Sequence, residues 1–181
     1  MWWLRKNHWQ SLATNLQMLV LDVDGVMTDG GIILLGNTEQ MKRFNSQDGL
    51  GIKMARTSGL KVAIITGRKS EVVERRAREL KIDDVYQGYD DKTLAFTALL
   101  QEHNIQASQV AYIGDDLPDV PVMKRVGIPV AVKNARLEVK RYAAYVTKAS
   151  GGNGAIREAV EWLLELQGKK GSIINGLIQQ S

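Results

Sequence analysis

The segment VLDVDGVMTDG, residues 20–30, runs an apolar stretch directly into three aspartates and two glycines. Residues i and i+2 of a strand share a face, so Asp22 and Asp24 are predicted to point the same way at the end of the first strand. Gly25 lets the backbone turn sharply just beyond them. This spacing suits a tetrahedral group held between an attacking carboxylate and a second carboxyl that passes a proton to a leaving group.

Short apolar runs alternate with amphipathic stretches along the rest of the chain. The predicted strands are MLVLDVD, KVAIIT, VAYIG and IPVAV, at residues 18–24, 61–66, 110–114 and 128–132. The predicted helices cover residues 50–58, 70–80, 92–103, 117–126, 135–142 and 154–166, and Asp48 and Gly59 are predicted to cap the first of them. This order is typical of βα units, and the runs LVLDV and VAIIT are apolar on both faces, as central strands are. The sequence therefore predicts an α/β fold, a doubly wound, Rossmann-like parallel sheet with helices on both faces.

One segment interrupts this alternation. The stretch GGIILLGNTEQMKRFNSQDG, residues 30–49, places GN at positions 36 and 37 between two extended runs, which predicts an inserted β-hairpin over about residues 30–45. Residues 32–35 are four apolar residues in a row, so a hairpin standing out from the sheet would expose apolar side chains. Two interpretations stay open: the hairpin folds back on its own core, or it forms a subunit interface.

Composition excludes several kinds of active site. The chain has no cysteine, which excludes disulfides, cysteine-based zinc sites and thiol nucleophiles. Its two histidines, His8 and His103, stand far apart in the sequence, so histidine-based metal sites and Ser/His triads lack material. The net charge of +4 is modest and spread out, and Arg75, Arg76 and Arg78 are typical of the solvated face of a helix. We therefore expect no nucleic-acid partner.

Length and hydropathy predict one compact domain of 181 residues. No apolar stretch approaches the length of a membrane span, so we expect a soluble, cytoplasmic protein with no membrane partner. The main domain is predicted over residues 16–167, between an N-terminal extension at 1–15 and a C-terminal tail at 168–181. The tail shows no firm periodicity, so disorder is one interpretation of it.

Polar residues follow three further strands or begin the helix after one. Thr66, Gly67 and Arg68 end the run KVAIIT, Lys92 starts a helix, and Asp115 with Asp116 ends the run VAYIG. In open parallel sheets, ligands bind outside the carboxyl ends of the strands. We therefore expect these groups to collect beside Asp22 and Asp24.

Crowded carboxylates raise one another's pKa unless a cation binds among them. With oxygen ligands only, that cation should be hard, which favours Mg²⁺, with Mn²⁺ as a substitute. Thr66, the Gly67 N–H and Lys92 would neutralise the oxygens of a bound phosphate. The group for which the site is built is predicted to be a phosphoryl.

The motifs DVDGVMTDG, TGR, Lys92 and GDDLPD resemble the four motifs of the haloacid dehalogenase superfamily. The resemblance implies that Asp22 is the nucleophile that forms an aspartyl-phosphate and that Asp24 is the general acid and then the base. It also implies that Asp22, the backbone carbonyl of Asp24 and Asp115 hold Mg²⁺, while Asp116 supports them without touching the metal.

The cap domain that usually gives this superfamily its specificity has no room here. The spacings between the motifs are used up by the hairpin and by single helices and strands. The segments DGVMTDG, FNSQDGLGI and GGNGAIRE resemble the capless family of 3-deoxy-D-manno-octulosonate 8-phosphate (KDO 8-phosphate) phosphatases. That resemblance implies a magnesium-dependent phosphatase of lipopolysaccharide synthesis and a homotetramer whose hairpins pack together.

The same resemblance implies a sugar acid phosphate as substrate and a pocket shared between subunits. The residues it assigns to that pocket are Asn45, Ser46, Gln47, Asp48, Gly49, Lys53, Gly67, Arg68 and Arg76. Arginines suit such a substrate because a guanidinium can bind a carboxylate or a phosphate with two hydrogen bonds. In this family the tail can reach a neighbouring active site, which is the second interpretation of residues 168–181.

Two alternatives stay open. The family often has a basic residue where Gln47 stands, so the substrate could instead be a nine-carbon acid such as KDN 9-phosphate or N-acetylneuraminate 9-phosphate. A non-catalytic oligomerisation module on the same fold is the other alternative. Such modules can lose the nucleophile or the acid, whereas this chain keeps both Asp22 and Asp24.

Overall fold

The computed structural model describes residues 2–35 and 39–179. The strands are β1 Met18–Leu21, β2 Ile33–Leu35, β3 Glu39–Met41, β4 Lys61–Thr66, β5 Asp84–Gln87, β6 Val110–Gly114, β7 Ile128–Ala131 and β8 Tyr145–Val146. The helices are α1 Trp2–Thr14, α2 Ser46–Thr57, α3 Glu71–Glu79, α4 Lys92–His103, α5 Val120–Met123, α6 Leu137–Lys140, α7 Ala155–Leu166 and α8 Lys170–Gln179.

Six strands form one parallel sheet in the order β5-β4-β1-β6-β7-β8. β1 lies inside the sheet, between β4 and β6, and all four of its side chains are buried. The strand order runs outward from β1 in both directions, so the crossover helices cover opposite faces of the sheet. The predicted doubly wound α/β fold is confirmed, and the carboxyl ends of β1, β4 and β6 meet at one edge.

Helices α2 and α7 pack against each other on one face, and α4 packs beside α5 on the other. α4 covers the predicted range, 92–103. α2 begins earlier than predicted, because the side chain of Asn45 caps it by accepting the Gln47 N–H at 2.7 Å. The prediction that Asp48 caps this helix is therefore wrong. Gly59 does follow its end, in a left-handed conformation with φ 96°.

The predicted hairpin is confirmed, with β2 and β3 antiparallel and Ile33 opposite Met41. The turn predicted at positions 36 and 37 lies outside the described residues. The side chains of residues 32–35 are between 43% and 68% exposed, and Met41 is 48% exposed. The apolar side chains of residues 32–35 and of Met41 thus face solvent in the single chain, whereas Phe44, just beyond β3, packs against the core.

Both ends of the described chain are helical. In α1, Ala13 is fully buried, and its carbonyl accepts a hydrogen bond from Gln167 Nε2 at 2.8 Å. In the tail, α8 packs three half-buried side chains against the core: Ile173, Ile174 and Leu177. Disorder is thus wrong for residues 170–179. No helix among the described residues is both long and apolar enough to cross a membrane.

Candidate active site

Asp22 follows the last residue of β1, and its N–H donates to the Ile113 carbonyl at 3.1 Å. The chain then makes a helical turn over Val23–Met27, in which Gly25 has φ 93°. A Cβ at Gly25 would lie 2.1 Å from the Asp115 carboxylate, so only glycine fits there. Because β1 ends before Asp22, the prediction that Asp22 and Asp24 share one strand face is wrong. Because of this turn, the Asp22 carboxylate contacts Lys92 and the Asp24 carboxylate contacts Lys42.

Asp22, Lys92, Asp115 and Asp119 form a cluster at the carboxyl ends of β1 and β6, called here the charged cluster. Lys92 Nζ lies 2.7 Å from Asp22 Oδ1 and 2.6 Å from Asp119 Oδ1. Carboxylate oxygens of the three aspartates lie within 4.8 Å of one another. Asp22, Lys92 and Asp119 are buried and Asp115 is half-buried. The structure thus brings together Asp22, Lys92 and Asp115, as predicted.

Asp119 is the centre of this cluster, and the sequence reasoning did not assign it to the site. Its carboxylate accepts hydrogen bonds from the Tyr112 hydroxyl at 2.7 Å and from the Asp115 N–H at 2.8 Å. A Cβ at Gly114 would lie 2.6 Å from the Asp119 side chain, so the absence of a side chain at Gly114 makes room for Asp119. The available signal was the third aspartate of GDDLPD, which a short helical turn brings back to the end of β6.

Asp116 has a different place from the one predicted. It is exposed, and its carboxylate caps the short turn Leu117–Asp119 by accepting the Leu117 N–H at 2.8 Å. The carboxylate that joins Asp22 and Asp115 is that of Asp119. The structure therefore places Asp119, and not Asp116, beside Asp22 and Asp115.

Burial and mutual repulsion set the protonation of the charged cluster. Burial, followed by the charges of Asp22 and Asp119, raises the pKa of Asp115 to about 8. Burial and the charge of Asp119 also raise the pKa of Asp22 to about 6, against the opposing effect of Lys92. Burial alone would lower the pKa of Lys92, but the Asp22 and Asp119 carboxylates outweigh burial and raise it. Full ionisation of the three aspartates would thus put more negative charge in the cluster than one lysine balances.

The residues of the charged cluster fit a hard divalent cation. Asp115 Oδ1 is buried and has no hydrogen-bond partner among the described residues. A buried carboxylate oxygen without a partner costs free energy, and a metal ion would supply that partner. The possible metal ligands in the cluster are the carboxylate oxygens of Asp22, Asp115 and Asp119, which suit Mg²⁺ better than softer ions.

Asp24 faces the hairpin. Its Oδ1 accepts a hydrogen bond from Lys42 Nζ, and Arg68 Nε lies 3.9 Å from its Oδ2. The Lys42 side chain is only 4% exposed, whereas that of Arg68 is 53% exposed. The sequence reasoning missed Lys42, which follows β3 and had no motif to mark it. Asp24 is thus held by a cation from the hairpin.

Thr66 and Gly67 end the neighbouring strand β4. Thr66 is buried, and its carbonyl accepts the Gly88 N–H at 3.0 Å. Lys92 is the first residue of α4, which Asp91 caps by accepting the Thr93 N–H at 2.9 Å. Thr66, Gly67 and Lys92 therefore lie at the carboxyl-end edge of the sheet, as predicted.

A glycine-rich loop over residues 150–154 supports the turn after β1 from behind. Asn134 donates from Nδ2 to the Gly25 carbonyl at 2.9 Å and accepts the Gly151 N–H at 2.7 Å. A Cβ at Gly151 would lie 1.7 Å from the Gly25 oxygen, so the two backbones touch. This contact explains the glycine at position 151.

The residues predicted for the substrate pocket fall into two groups. Asn45 and Asp48 are engaged by backbone: Asn45 caps α2, and the buried Asp48 accepts the N–H groups of Gly154 at 3.1 Å and Arg157 at 3.0 Å. Burial raises the pKa of Asp48, against these hydrogen bonds. Asp48 therefore ties α2 to the start of α7, and the structure gives it no free oxygen for a substrate.

Arg76 is less exposed than its neighbours on α3. Its side chain is 22% exposed, compared with 80% for Arg75, so it does not belong to a solvated face. Its guanidinium lies 5.7 Å from the centre of the Phe44 ring, and a Cβ at Gly49 would lie 2.8 Å from its Nη2. A narrow crevice too small for a water molecule lies among Met27, Phe44, Asn45, Asp48, Gly49, Ile52, Arg76, Leu80 and Ile156. Asn45, Asp48, Gly49 and Arg76 thus lie together.

The other residues predicted for the pocket lie around this group. Ser46 and Gln47 form the first turn of α2, where a Cβ at Gly154 would lie 3.4 Å from Gln47 Oε1. Lys53 is exposed on the same helix. Ser46, Gln47 and Lys53 border the start of α7 or solvent, and the structure assigns them no contact with the charged cluster.

Comparison with known proteins identifies the family. Residues 83–158 match the family model of haloacid dehalogenase-like hydrolases. The 3-deoxy-D-manno-octulosonate 8-phosphate phosphatase of Escherichia coli K12 is 50% identical over 157 residues, which cover 87% of this chain and 84% of that protein.

Solved structures agree with this match. The Yersinia pestis phosphatase of the same name superposes with a TM-score of 0.88 at 45% identity, covering 91% of this chain and 89% of the other. The Moraxella catarrhalis phosphatase, solved with a magnesium ion, a phosphate ion and KDO, has a TM-score of 0.90 at 39% identity, covering 94% and 98%. The chain therefore belongs to the KDO 8-phosphate phosphatase family of the haloacid dehalogenase superfamily and is a phosphoric monoester hydrolase.

Proposed function

We propose that this chain hydrolyses KDO 8-phosphate to KDO and phosphate with Mg²⁺ and through an aspartyl-phosphate. The observation that carries the proposal is the charged cluster. It places a buried, partnerless oxygen of Asp115 beside Asp22 and Lys92. The names of the relatives support the substrate, and the magnesium and phosphate ions of the Moraxella catarrhalis enzyme support the metal and the phosphoryl group.

The carboxylates of Asp22 and Asp115, with the backbone carbonyl of Asp24, would hold the metal. When bound, Mg²⁺ neutralises these carboxylates and draws negative charge from the phosphoryl oxygens. Asp119 stays on Lys92 and Tyr112, and so fixes the cluster from the protein side. Substitution by Mn²⁺ remains a prediction of the oxygen-only ligand set.

In the first step, a carboxylate oxygen of Asp22 attacks phosphorus. The carboxylate has two oxygens, so one can attack while the other would hold the metal, and Lys92 lies 2.7 Å from Oδ1. The bond between phosphorus and the sugar oxygen breaks, and Asp24 gives its proton to that oxygen, so KDO leaves as an alcohol. Lys92, the Thr66 hydroxyl and the Gly67 N–H balance the charge on the phosphoryl oxygens during transfer.

In the second step, Asp24 acts as a base. Its carboxylate takes a proton from a water molecule, whose oxygen attacks phosphorus. The bond between phosphorus and Asp22 breaks, which releases phosphate and restores the Asp22 carboxylate. Asp24 ends protonated, as the next cycle requires.

Recognition of the sugar acid is assigned to the group around α2 and α3. Arg76 and the exposed Arg68 and Lys53 are the cations available to the sugar carboxylate. Gln47 is neutral and lies beside Gly154 at the start of α7. This neutral side chain keeps open the alternative substrate class, a nine-carbon acid phosphate such as KDN 9-phosphate or N-acetylneuraminate 9-phosphate.

We further propose that the chain forms a homotetramer through its hairpins. The exposed apolar side chains of residues 32–35 and Met41 form the surface that such an assembly would bury. The cytoplasmic location remains a prediction of the sequence.

The test is phosphate release from KDO 8-phosphate, KDN 9-phosphate, N-acetylneuraminate 9-phosphate and glucose 6-phosphate, with Mg²⁺ or with EDTA. We expect magnesium-dependent release with the highest kcat/KM on KDO 8-phosphate. A higher value on a nine-carbon acid would move the substrate to the alternative class. No release from any compound would favour the non-catalytic module and overturn the proposal.

A further inference from the structure

Lys42 is a buried cation that the mechanism above does not use. It follows β3 on the return strand of the hairpin, and its side chain is 4% exposed. A buried ammonium needs a partner of opposite charge, and the partner here is Oδ1 of Asp24. The hairpin segment therefore contributes one charged group to the turn after β1 that carries Asp24.

This contact makes the two oxygens of Asp24 different. Oδ1 accepts a hydrogen bond from Lys42, whereas Oδ2 lies 3.9 Å from Nε of Arg68, on a side chain that is 53% exposed. An arginine that exposed holds a carboxylate loosely. A general acid works only when the oxygen that carries its proton points at the leaving group.

We propose that Lys42 is a positioning residue for proton transfer, which holds Asp24 by Oδ1 so that Oδ2 exchanges the proton with the leaving alcohol and later with water. The inference rests on the proposed function. Lys42 acts through Asp24, so it contributes to the steps that move a proton and not to the attack by Asp22.

A second ion pair supplies a matched control. Arg43, the next residue, pairs with Asp29 at 2.8 Å, but its side chain is 66% exposed. Both pairs join the same part of the hairpin to the same loop, and only that of Lys42 touches Asp24. The Arg43→Met variant therefore reports any general effect of loosening the hairpin.

The experiment compares Lys42→Met, Lys42→Arg and Arg43→Met with the wild type on KDO 8-phosphate and on p-nitrophenyl phosphate. The sugar alcohol needs a proton to leave, whereas p-nitrophenolate does not. The quantity compared is kcat/KM, because it reports the steps up to the first irreversible one, in which the leaving group departs.

We expect Lys42→Met to lower kcat/KM on KDO 8-phosphate about 100-fold, mainly through kcat, and on p-nitrophenyl phosphate less than about threefold. Lys42→Arg should recover the KDO 8-phosphate value to within about tenfold, since it restores a cation at Oδ1. Arg43→Met should lower kcat/KM on each of the two substrates by less than about threefold.

Three results would overturn the assignment. Equal losses of kcat/KM on the two substrates in Lys42→Met would show that Lys42 only stabilises the loop. An unchanged kcat/KM in that variant would show that Asp24 does not need Lys42 to hold its carboxylate. A rise in KM on KDO 8-phosphate with kcat intact would show that Lys42 binds substrate. If the wild type itself hydrolyses neither compound, the proposed function fails instead. Circular dichroism and size-exclusion chromatography of each variant separate misfolding from loss of proton transfer, and Lys42→Arg keeps the test valid if Lys42→Met does not fold.

Discussion

The charged cluster and the hairpin both depart from the usual rule that charged side chains face water and apolar side chains are buried. In the cluster, three aspartates and a lysine are withdrawn from water, whereas the hairpin puts apolar residues 32–35 into water. Both arrangements cost free energy in the single chain. The difference lies in what each is proposed to bind: the cluster a cation, and the hairpin another apolar surface.

The largest expected effect is at the nucleophile. Asp22→Asn should lower phosphate release from KDO 8-phosphate on the order of 10⁴-fold or more, since an amide cannot form the acyl phosphate. The measurement is phosphate release together with circular dichroism to verify the fold. Substantial residual turnover in a folded variant would exclude Asp22 as the nucleophile.

The next effect tests the hairpin. Leu34→Asp puts a charge on the most exposed of the apolar side chains in residues 32–35, so we expect it to prevent the proposed tetramer while the subunit stays folded. Light scattering coupled to size-exclusion chromatography gives the mass. Leu94→Asp is the control, because Leu94 is 64% exposed on α4, outside the hairpin. The same change of mass in both variants would contradict the special role of the hairpin.

A metal titration tests the cluster. Saturating Mg²⁺ should stabilise the wild type by about 3 kcal/mol if the ion is present at roughly 100 times its Kd, which raises Tm by several degrees. Asp115→Asn should abolish this rise by removing a ligand charge. Asp116→Asn should keep it, because Asp116 faces solvent and caps a turn. A Tm that does not respond to Mg²⁺ in the wild type would argue against the cation site.

The smallest effect concerns a buried carboxylate whose partners are all internal. Asp48→Ala leaves the Gly154 and Arg157 N–H groups without their acceptor, so we expect a loss of about 1–3 kcal/mol in the free energy of unfolding. Urea denaturation with and without Mg²⁺ measures it. The loss should be the same in both, and dependence on Mg²⁺ would place Asp48 in the metal site after all.

The sequence predicted the parts of the molecule that depend on local pattern. Strands β1, β4, β6 and β7 follow from hydrophobic periodicity, whereas the short strands β5 and β8 were not predicted. Asp22, Lys92 and Asp115 meet because parallel strands place their carboxyl ends at one edge. Lys42 and Asp119 were missed because their contacts depend on how the hairpin folds over the loop and how a short turn curls back. Neither geometry leaves a period in the sequence.

The tail also shows what hydrophobic periodicity cannot predict. Its apolar residues are isolated, and three of them become half-buried only because α2 and α7 provide a surface. Periodicity alone could not separate such a helix from disorder. Asp48 was misjudged for a related reason, since its partners lie more than a hundred residues further along the chain.

The contact between Gly25 and Gly151 has a consequence for the order in which the enzyme is made. Asp22, the proposed nucleophile, and its turn leave the ribosome early, but the backbone that supports the turn is translated after all four motifs are complete. A nascent chain ending before Gly151 would contain every residue proposed to be catalytic without the support that fixes the turn. Activity is thus expected to appear only near the end of translation, and truncation in this loop should inactivate an otherwise intact set of motifs.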